Sequence, residues 1–197
     1  MWIFTIIFKL STKKVKVMEP DIKIVNVVVS TKIGDNIDLE EVAMILDNAE
    51  YEPEQFPGLV CRLSVPKVAL LIFRSGKINC TGAKSKEEAE IAIKKIIKEL
   101  KDAGFDVIEN PEIKVQNMVA TADLGIEPNL DEIALMVEGT EYEPEQFPGL
   151  VYRLDDPKVV VLIFGSGKVV ITGLKSEEDA KRALNKILET IKEVQEL

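Results

Sequence analysis

Hydrophobic positions along this chain follow two rhythms, and the order of those rhythms is played twice. Apolar, β-branched runs at residues 22–30 (IKIVNVVVS) and 113–121 (IKVQNMVAT) read as strands. Each is followed by a short stretch with helical spacing, DLEEVAMILDN at 38–48 and NLDEIALMVEG at 129–139. Asp38 and Asn129 are suited to cap these helices, with Glu41 and Glu132 at the third helical position. Three more strands follow in each half: LVCRL, VALLIF and KINCTG, then LVYRL, VVVLIF and KVVITG, with Ser-Gly marking a hairpin turn between the last two. A longer helix closes each half. Ser85 opens the first, Glu88 completes a capping box, and Ala89, Ala92, Ile93, Ile96, Ile97 and Leu100 form an apolar stripe that stops before Gly104. Ser176 opens the second, where Ala180, Ala183, Leu184, Ile187, Leu188 and Ile191 repeat the stripe.

The repetition is literal in places. EYEPEQFPGLV stands at residues 50–60 and again at 141–151. An offset of 91 joins Phe56 to Phe147, Asn26 to Asn117, Gly76 to Gly167, Thr81 to Thr172 and Ser85 to Ser176. From Glu50 to Ser85, 26 of 36 positions match their partners with no insertion or deletion. A constant offset means two copies of one structural unit. Two copies of this size predict one pseudo-symmetric body, since a solenoid stacks more and shorter repeats. Each copy reads as an antiparallel sheet with helices on one face, an α+β design.

Such a sheet should alternate apolar and polar residues. VALLIF, VVVLIF and Val25 to Val29 are apolar on both parities. Two readings fit. Either the sheet is buried on both sides, or one face exposes a broad apolar patch of the kind that marks a partner site. Alternate side chains share a face, so Leu71 goes with Phe73, Asn79 with Thr81 and Asn26 with Val28, matched by Leu162, Phe164, Val170, Thr172, Asn117 and Val119. An asparagine inside each apolar first strand is costly if buried unpaired. It is either satisfied by local backbone or available to a partner.

Composition narrows the field. Apolar residues make up 46% of the 197 and charged residues 30%, the balance of a globular protein. There is no histidine, which removes the commonest general base and metal ligand. Cys61 and Cys80 are the only cysteines, and their spacing suits neither a disulfide framework nor a zinc site. No cofactor or metal is expected. The net charge of −9, taken alone, argues against a nucleic-acid partner. Residues 1–17 differ from the rest, with Lys9, Lys13, Lys14 and Lys16 and no acid. They read as a leader, disordered or loosely attached, or as a stretch upstream of a true start at Met18; the pattern is not that of a signal peptide. Setting those four lysines aside leaves 21 of the 25 basic residues against 34 acidic ones. No apolar run reaches the length that spans a bilayer, so no membrane partner is expected.

Taken in order and twice, several motifs carry a resemblance. They are VQN followed by valine (VNVV in the first copy), EYEPEQFPGLVYRL, and the PK–V–LIF–SGK–V–TG string. With them the chain resembles the TATA-box-binding protein family, archaeal in type, from about Asp21 to Leu197. The resemblance implies a saddle-shaped, ten-stranded antiparallel sheet with four helices on its convex face, built from repeats at 18–108 and 109–197. Its concave face would bind the minor groove of double-stranded DNA at a TATA element. Phe56, Phe73, Phe147 and Phe164 would then wedge between base steps. Asn26, Val28, Leu71, Asn79, Thr81, Asn117, Val119, Leu162, Val170 and Thr172 would line the groove. Arg62, Ser75, Lys77, Arg153, Ser166 and Lys168 would hold phosphates. Glu143, Glu145 and Gln146 match the family's contact with transcription factor B, through which RNA polymerase is recruited. Off DNA the exposed face could pair two copies as a homodimer. The protein would be cytoplasmic and nucleoid-associated if archaeal, nuclear if eukaryotic. Asn79 departs from the pattern, because the family usually has an apolar residue there.

Two other readings compete with this. A catalytic reading finds only GSGK at 165–168, without the full phosphate-loop pattern and with a strand where that loop needs a helix. A non-enzymatic module that binds protein or lipid through the same apolar face fits the patterning equally well. Only the paired asparagines, threonines and phenylalanines favour DNA. The acids would then have to gather on the convex back and at the duplicated loops.

Overall fold

The computed structural model describes residues 21–195; the leader expected at 1–17 and the start at Met18 lie outside the described residues. The first copy runs β1 (Lys23–Lys32), α1 (Leu39–Ile45), β2 (Ala49–Glu50), β3 (Gly58–Ser64), β4 (Lys67–Phe73), β5 (Lys77–Ala83) and α2 (Lys86–Asp102). The second repeats this order as β6 (Lys114–Asp123), α3 (Leu130–Met136), β7 (Thr140–Glu141), β8 (Gly149–Asp155), β9 (Lys158–Phe164), β10 (Lys168–Leu174) and α4 (Glu177–Gln195). All ten strands form one antiparallel sheet in the order β2-β3-β4-β5-β1-β6-β10-β9-β8-β7. That order is a palindrome about the β1–β6 pair, so the pseudo-twofold axis passes between these two strands. Patterning located eight of the strands. β2 and β7, two residues each at the sheet's edges, are too short to show a period.

Helix starts follow local chemistry. The Asp38 carboxylate accepts from the N–H groups of Glu40 and Glu41 at 3.0 and 3.2 Å, and Asn129 accepts from Glu132 at 3.3 Å. Ser85 Oγ accepts from the Glu88 N–H at 3.2 Å, but the Glu88 carboxylate reaches back to the N–H of Lys84, one residue before the cap, at 2.8 Å. The reciprocal arrangement is thus one residue wider than a capping box. Ser176 and Asp179 repeat it, with Asp179 N–H donating to Ser176 Oγ and Lys175 N–H donating to Asp179.

Burial decides between the two readings of the sheet. Along β4, Val68, Leu70 and Ile72 are buried while Ala69, Leu71 and Phe73 stay partly exposed. β9 divides the same way, with Val159, Val161 and Ile163 inside. The buried parity packs against Ala89, Ala92, Ile93, Ile96, Ile97 and Leu100 of α2 and their equivalents on α4. Helices cover one face of the sheet, and the other apolar face is open.

Cys61 and Cys80 lie on the covered side, with Leu70 between them in register. Burial raises both thiol pKa values, that of Cys80 to about 11. Both thiols therefore stay protonated at pH 8 and shielded. Iodoacetamide at that pH should modify neither in the native protein and both in denaturant, as read by mass spectrometry; labelling at the unfolded-chain rate without denaturant would contradict this burial.

Candidate nucleic-acid interface

The open face is organised around the pseudo-twofold axis. Asn26 of β1 faces Val119 of β6, and Val28 faces Asn117. Each asparagine thus meets a valine of the other copy. Thr172 stands beside Val119, Val170 beside Leu162, and Leu71 beside Asn79. With Thr81, all ten groove-lining residues expected from the sequence share this face and are partly exposed. Six more residues belong to it by register and were not singled out: Ser30, Val60, Ala69, Thr121, Val151 and Val160. Strand parity counted back from Leu71 or Leu162 would have found Ala69 and Val160.

The asparagines are half satisfied. The Gly82 N–H donates to Asn26 Oδ1 at 2.8 Å, and the Gly173 N–H donates to Asn117 Oδ1 at 2.9 Å. Gly82 and Gly173 have φ of 93° and 91°, a left-handed conformation that glycine tolerates best. Strand register shifts beside each of them, between Val27 and Val29 and between Thr172 and Leu174, which frees these N–H groups from the ladder. With its carbonyl oxygen tied down, each amide turns its N–H₂ group to the open side. Asn117 Nδ2 lies 3.5 Å from Thr172 Oγ1. The centre of an apolar face therefore offers hydrogen-bond donors. The backbone thus satisfies each amide oxygen, as one of the two readings expected, and leaves the nitrogen toward the uncovered face.

Phenylalanine pairs stand toward the two ends of the face. In each duplicated loop the residues before the ring make a tight turn. The N–H groups of Gln55 and Phe56 donate to the Glu52 carbonyl at 2.9 and 3.0 Å, and those of Gln146 and Phe147 to Glu143 at the same distances. Pro53 and Pro144 fix φ at the second position of these turns. The Phe56 and Phe73 ring centroids are 5.9 Å apart at 63°, and those of Phe147 and Phe164 5.9 Å apart at 66°. Both are edge-to-face pairs. Glycine lets them bed against the backbone: a Cβ on Gly149 would stand 2.7 Å from Phe147 Cε1 and 3.0 Å from Phe164 Cε1. Phe56 and Phe147 remain 36% and 39% exposed, large rings held at an open edge.

Charge is partitioned. Arg62, Ser75, Lys77, Arg153, Ser166 and Lys168 are all exposed. Arg62 and Arg153 share the open face with Ala69 and Val160, and Arg153 is steadied by Glu141 at 3.6 Å. Ser75 and Lys77 line a depression with Lys32 and Lys114, which pair with Asp35 at 2.6 Å and Glu112 at 3.1 Å. Ser166 and Lys168 line its symmetry mate with Lys23, Asp21 and Asp123, so the serines and Lys77 and Lys168 stand in mixed-charge surroundings. The acids are not spread over the whole convex back. Residues 33–61 hold eight acids and no lysine or arginine, and residues 124–152 seven acids and none. Helix α2, in contrast, carries five of each sign. Negative charge thus gathers around α1, α3 and the duplicated loops, at the two edges of the sheet. Glu143, Glu145 and Gln146 are exposed there, with Gln146 Nε2 donating to the Glu143 carboxylate.

A family model described as "Transcription factor TFIID (or TATA-binding protein, TBP)" matches residues 21–103 and again 112–194, one match per copy. The chain is 95% identical over 182 residues to a TATA-box-binding protein of Methanocaldococcus jannaschii, covering 92% of this chain and all of that one. It is 60% identical over 173 residues to a TATA-box-binding protein of Archaeoglobus fulgidus, covering 87% of this chain and 94% of that one. A solved structure described as "Methanococcus jannaschii TBP" superposes with a TM-score of 0.85 at 95% identity, over 88% of this chain and 99% of that chain.

The ring pairs depend on the missing side chain at Gly58 and Gly149. Gly149→Ala should push the Phe147 ring off Phe164, weaken the ring–ring nuclear Overhauser effects and cost about 0.5–1.5 kcal/mol, the worth of an aromatic pair. Gly165→Ala is the control, since nothing lies within 4 Å of its Cβ. Equal effects from both substitutions would contradict the packing role.

Proposed function

The chain belongs to the TATA-box-binding protein family, and we propose that it is an archaeal general transcription factor that binds the minor groove of a TATA element and bends it. The observation that carries this reading is the donor-only presentation of Asn26 and Asn117 at the centre of an uncovered apolar face. In the minor groove A·T and T·A pairs both offer only acceptors, adenine N3 and thymine O2, while guanine adds an N2 amino donor. Anchored amide N–H₂ groups and threonine hydroxyls complement the acceptors. A guanine amino group set against Val28, Val119, Leu71, Leu162 or Val170 would lose its water and gain no partner.

The repeats at 18–108 and 109–197 would each serve one half of the site. Phe56 with Phe73, and Phe147 with Phe164, would enter a base step at either end; this family is itself the reference example of wedge insertion in the minor groove. Unstacking costs a few kcal/mol per step, least at flexible TA steps, so selectivity would come from deformability as well as contact. Arg62, Lys77, Arg153 and Lys168, with Ser75 and Ser166, would hold phosphates along the rim. Glu143, Glu145 and Gln146 would receive transcription factor B and, through it, RNA polymerase. The protein would then act in the cytoplasm, on the nucleoid.

Resonance energy transfer across an end-labelled duplex tests the bending. A T/A-rich duplex should shorten end to end on binding while a G·C-rich control does not. Phe56→Ala or Phe147→Ala should reduce the change and weaken binding more than tenfold, about 1.4 kcal/mol. No shortening on either duplex would leave the apolar face to a protein or lipid partner. Glu143→Lys combined with Glu145→Lys should abolish recruitment of transcription factor B to the bent complex in a gel-shift assay, with bending unchanged; normal recruitment would remove these carboxylates from the contact.

A further inference from the structure

The two halves of the open face are not chemically equal. Across the copies Ala69 is replaced by Val160, a change of size, and Ser30 by Thr121, which keeps the hydroxyl. Val25 is replaced by Gln116, whose amide is engaged with Ser30, and Ser64 by Asp155 at the far ends of β3 and β8. Along the paired strands β4–β5 and β9–β10 the open-face position that changes its hydrogen-bonding capacity is Asn79, which stands in β5 where Val170 stands in β10. Val170 is flanked by Leu162 and Thr121, and Asn79 by Leu71 and Ser30. Unlike Asn26 and Asn117, Asn79 has no side-chain hydrogen bond to any of the described residues. The nearest hydroxyl across the sheet, Ser30 Oγ, accepts from Gln116 Nε2 at 2.7 Å. The Asn79 amide is therefore free to turn either its oxygen or its nitrogen outward.

That freedom matters because the one feature separating G·C from A·T in the minor groove is a donor. Valine leaves the guanine amino group unpaired, whereas an asparagine oxygen accepts from it. We propose that Asn79 is a base-reading residue that accepts a hydrogen bond from guanine N2. The first repeat then tolerates a G·C pair at a position where the second excludes it, and this difference selects which way round the protein sits on an otherwise symmetric element. The inference rests on the minor-groove reading above.

Orientation is a direct readout. A donor dye is placed on the first duplicated loop through Glu54→Cys, both native cysteines being buried, and an acceptor at one end of a palindromic T/A duplex. A single G·C pair is then moved through one half-site. At the position read by Asn79, the G·C pair should draw the first repeat toward its own half by about fivefold or more over the opposite orientation, the lower bound of a single base-pair effect. Asn79→Val alone should abolish this bias. Exchanging the two residues, Asn79→Val with Val170→Asn, should reverse it. Replacing guanine by inosine, which lacks the N2 amino group, should return the orientation to that of the unmodified palindrome. A bias that survives the exchange, or persists with inosine, overturns the role of Asn79. Failure of every variant and of the native protein to bind the all-T/A duplex would instead overturn the minor-groove reading itself. Both exchanged residues lie on the uncovered face and outside the core, so a native-like thermal unfolding transition in the absence of DNA reports that the variant is folded.

Discussion

One layer of helices can cover only one face of a sheet, and the rest of this structure depends on that limit. The stripes of α2 and α4 supply a core for the Val68, Leu70 and Ile72 side of the sheet and for its equivalent, Val159, Val161 and Ile163. Nothing among the described residues is left to cover Leu71, Leu162, Val28 or Val119. An apolar face of this extent remains costly in water until something broad and largely apolar lies on it. On the proposed reading, the sugar and base edges of a minor groove meet that requirement. So the same strands that build the core also create the demand for a ligand.

Duplication turns this face into a ruler with a centre and two ends. Because the strand order is a palindrome, β1 and β6 meet at the axis and bring Asn26 and Asn117 within one ladder of each other. The ring pairs fall toward opposite ends for the same reason. The anchored amide donors therefore sit in the middle of the face and the exposed ring pairs toward its margins. A duplex has its own local twofold symmetry, and a protein with a matching axis applies one set of contacts twice. What symmetry cannot supply is direction. Any preference between the two orientations must come from positions where the copies differ, and Asn79 against Val170 is such a difference, with the Asn79 amide unengaged by any described residue.

Much of this was legible in the sequence, for physical reasons. The constant offset reveals two units, and alternation along VALLIF and VVVLIF sorts residues into two faces. Patterning could not say which face was covered, because both parities are apolar; that depends on where the stripes of α2 and α4 dock. It also could not see the local backbone that makes the asparagines useful. The register shifts at Gly82 and Gly173 release N–H groups that anchor the amide oxygens. A glycine within KINCTG or KVVITG looks like a strand end until its φ is known. Ser30, Thr121, Val60 and Val151 each lie two residues from Val28, Val119, Arg62 or Arg153 in the same strand, so the same alternation extends to them. Ordinary capping chemistry gave the helix starts, apart from the one-residue displacement at Glu88 and Asp179.

The acidic balance, which first seemed to exclude DNA, follows from how little of the proposed binding relies on charge. Affinity driven by counterion release needs many phosphate contacts. Burial of an apolar face with wedged rings needs few, and the rim supplies Arg62, Lys77, Arg153 and Lys168. Net charge then becomes a question of placement. Eight acids between Ile33 and Cys61 and seven between Leu124 and Tyr152, with no base in either stretch, put the repulsion at the edges of the sheet and away from its centre. A duplex kept straight along the face would carry its phosphates toward both acidic edges, whereas one kinked at the ring pairs turns away from them. The same carboxylates are exposed at those edges, where the proposed reading leaves them to a protein partner. On the proposed reading, acid at the edges and an apolar floor between them favour a bent polyanionic ligand over a straight one.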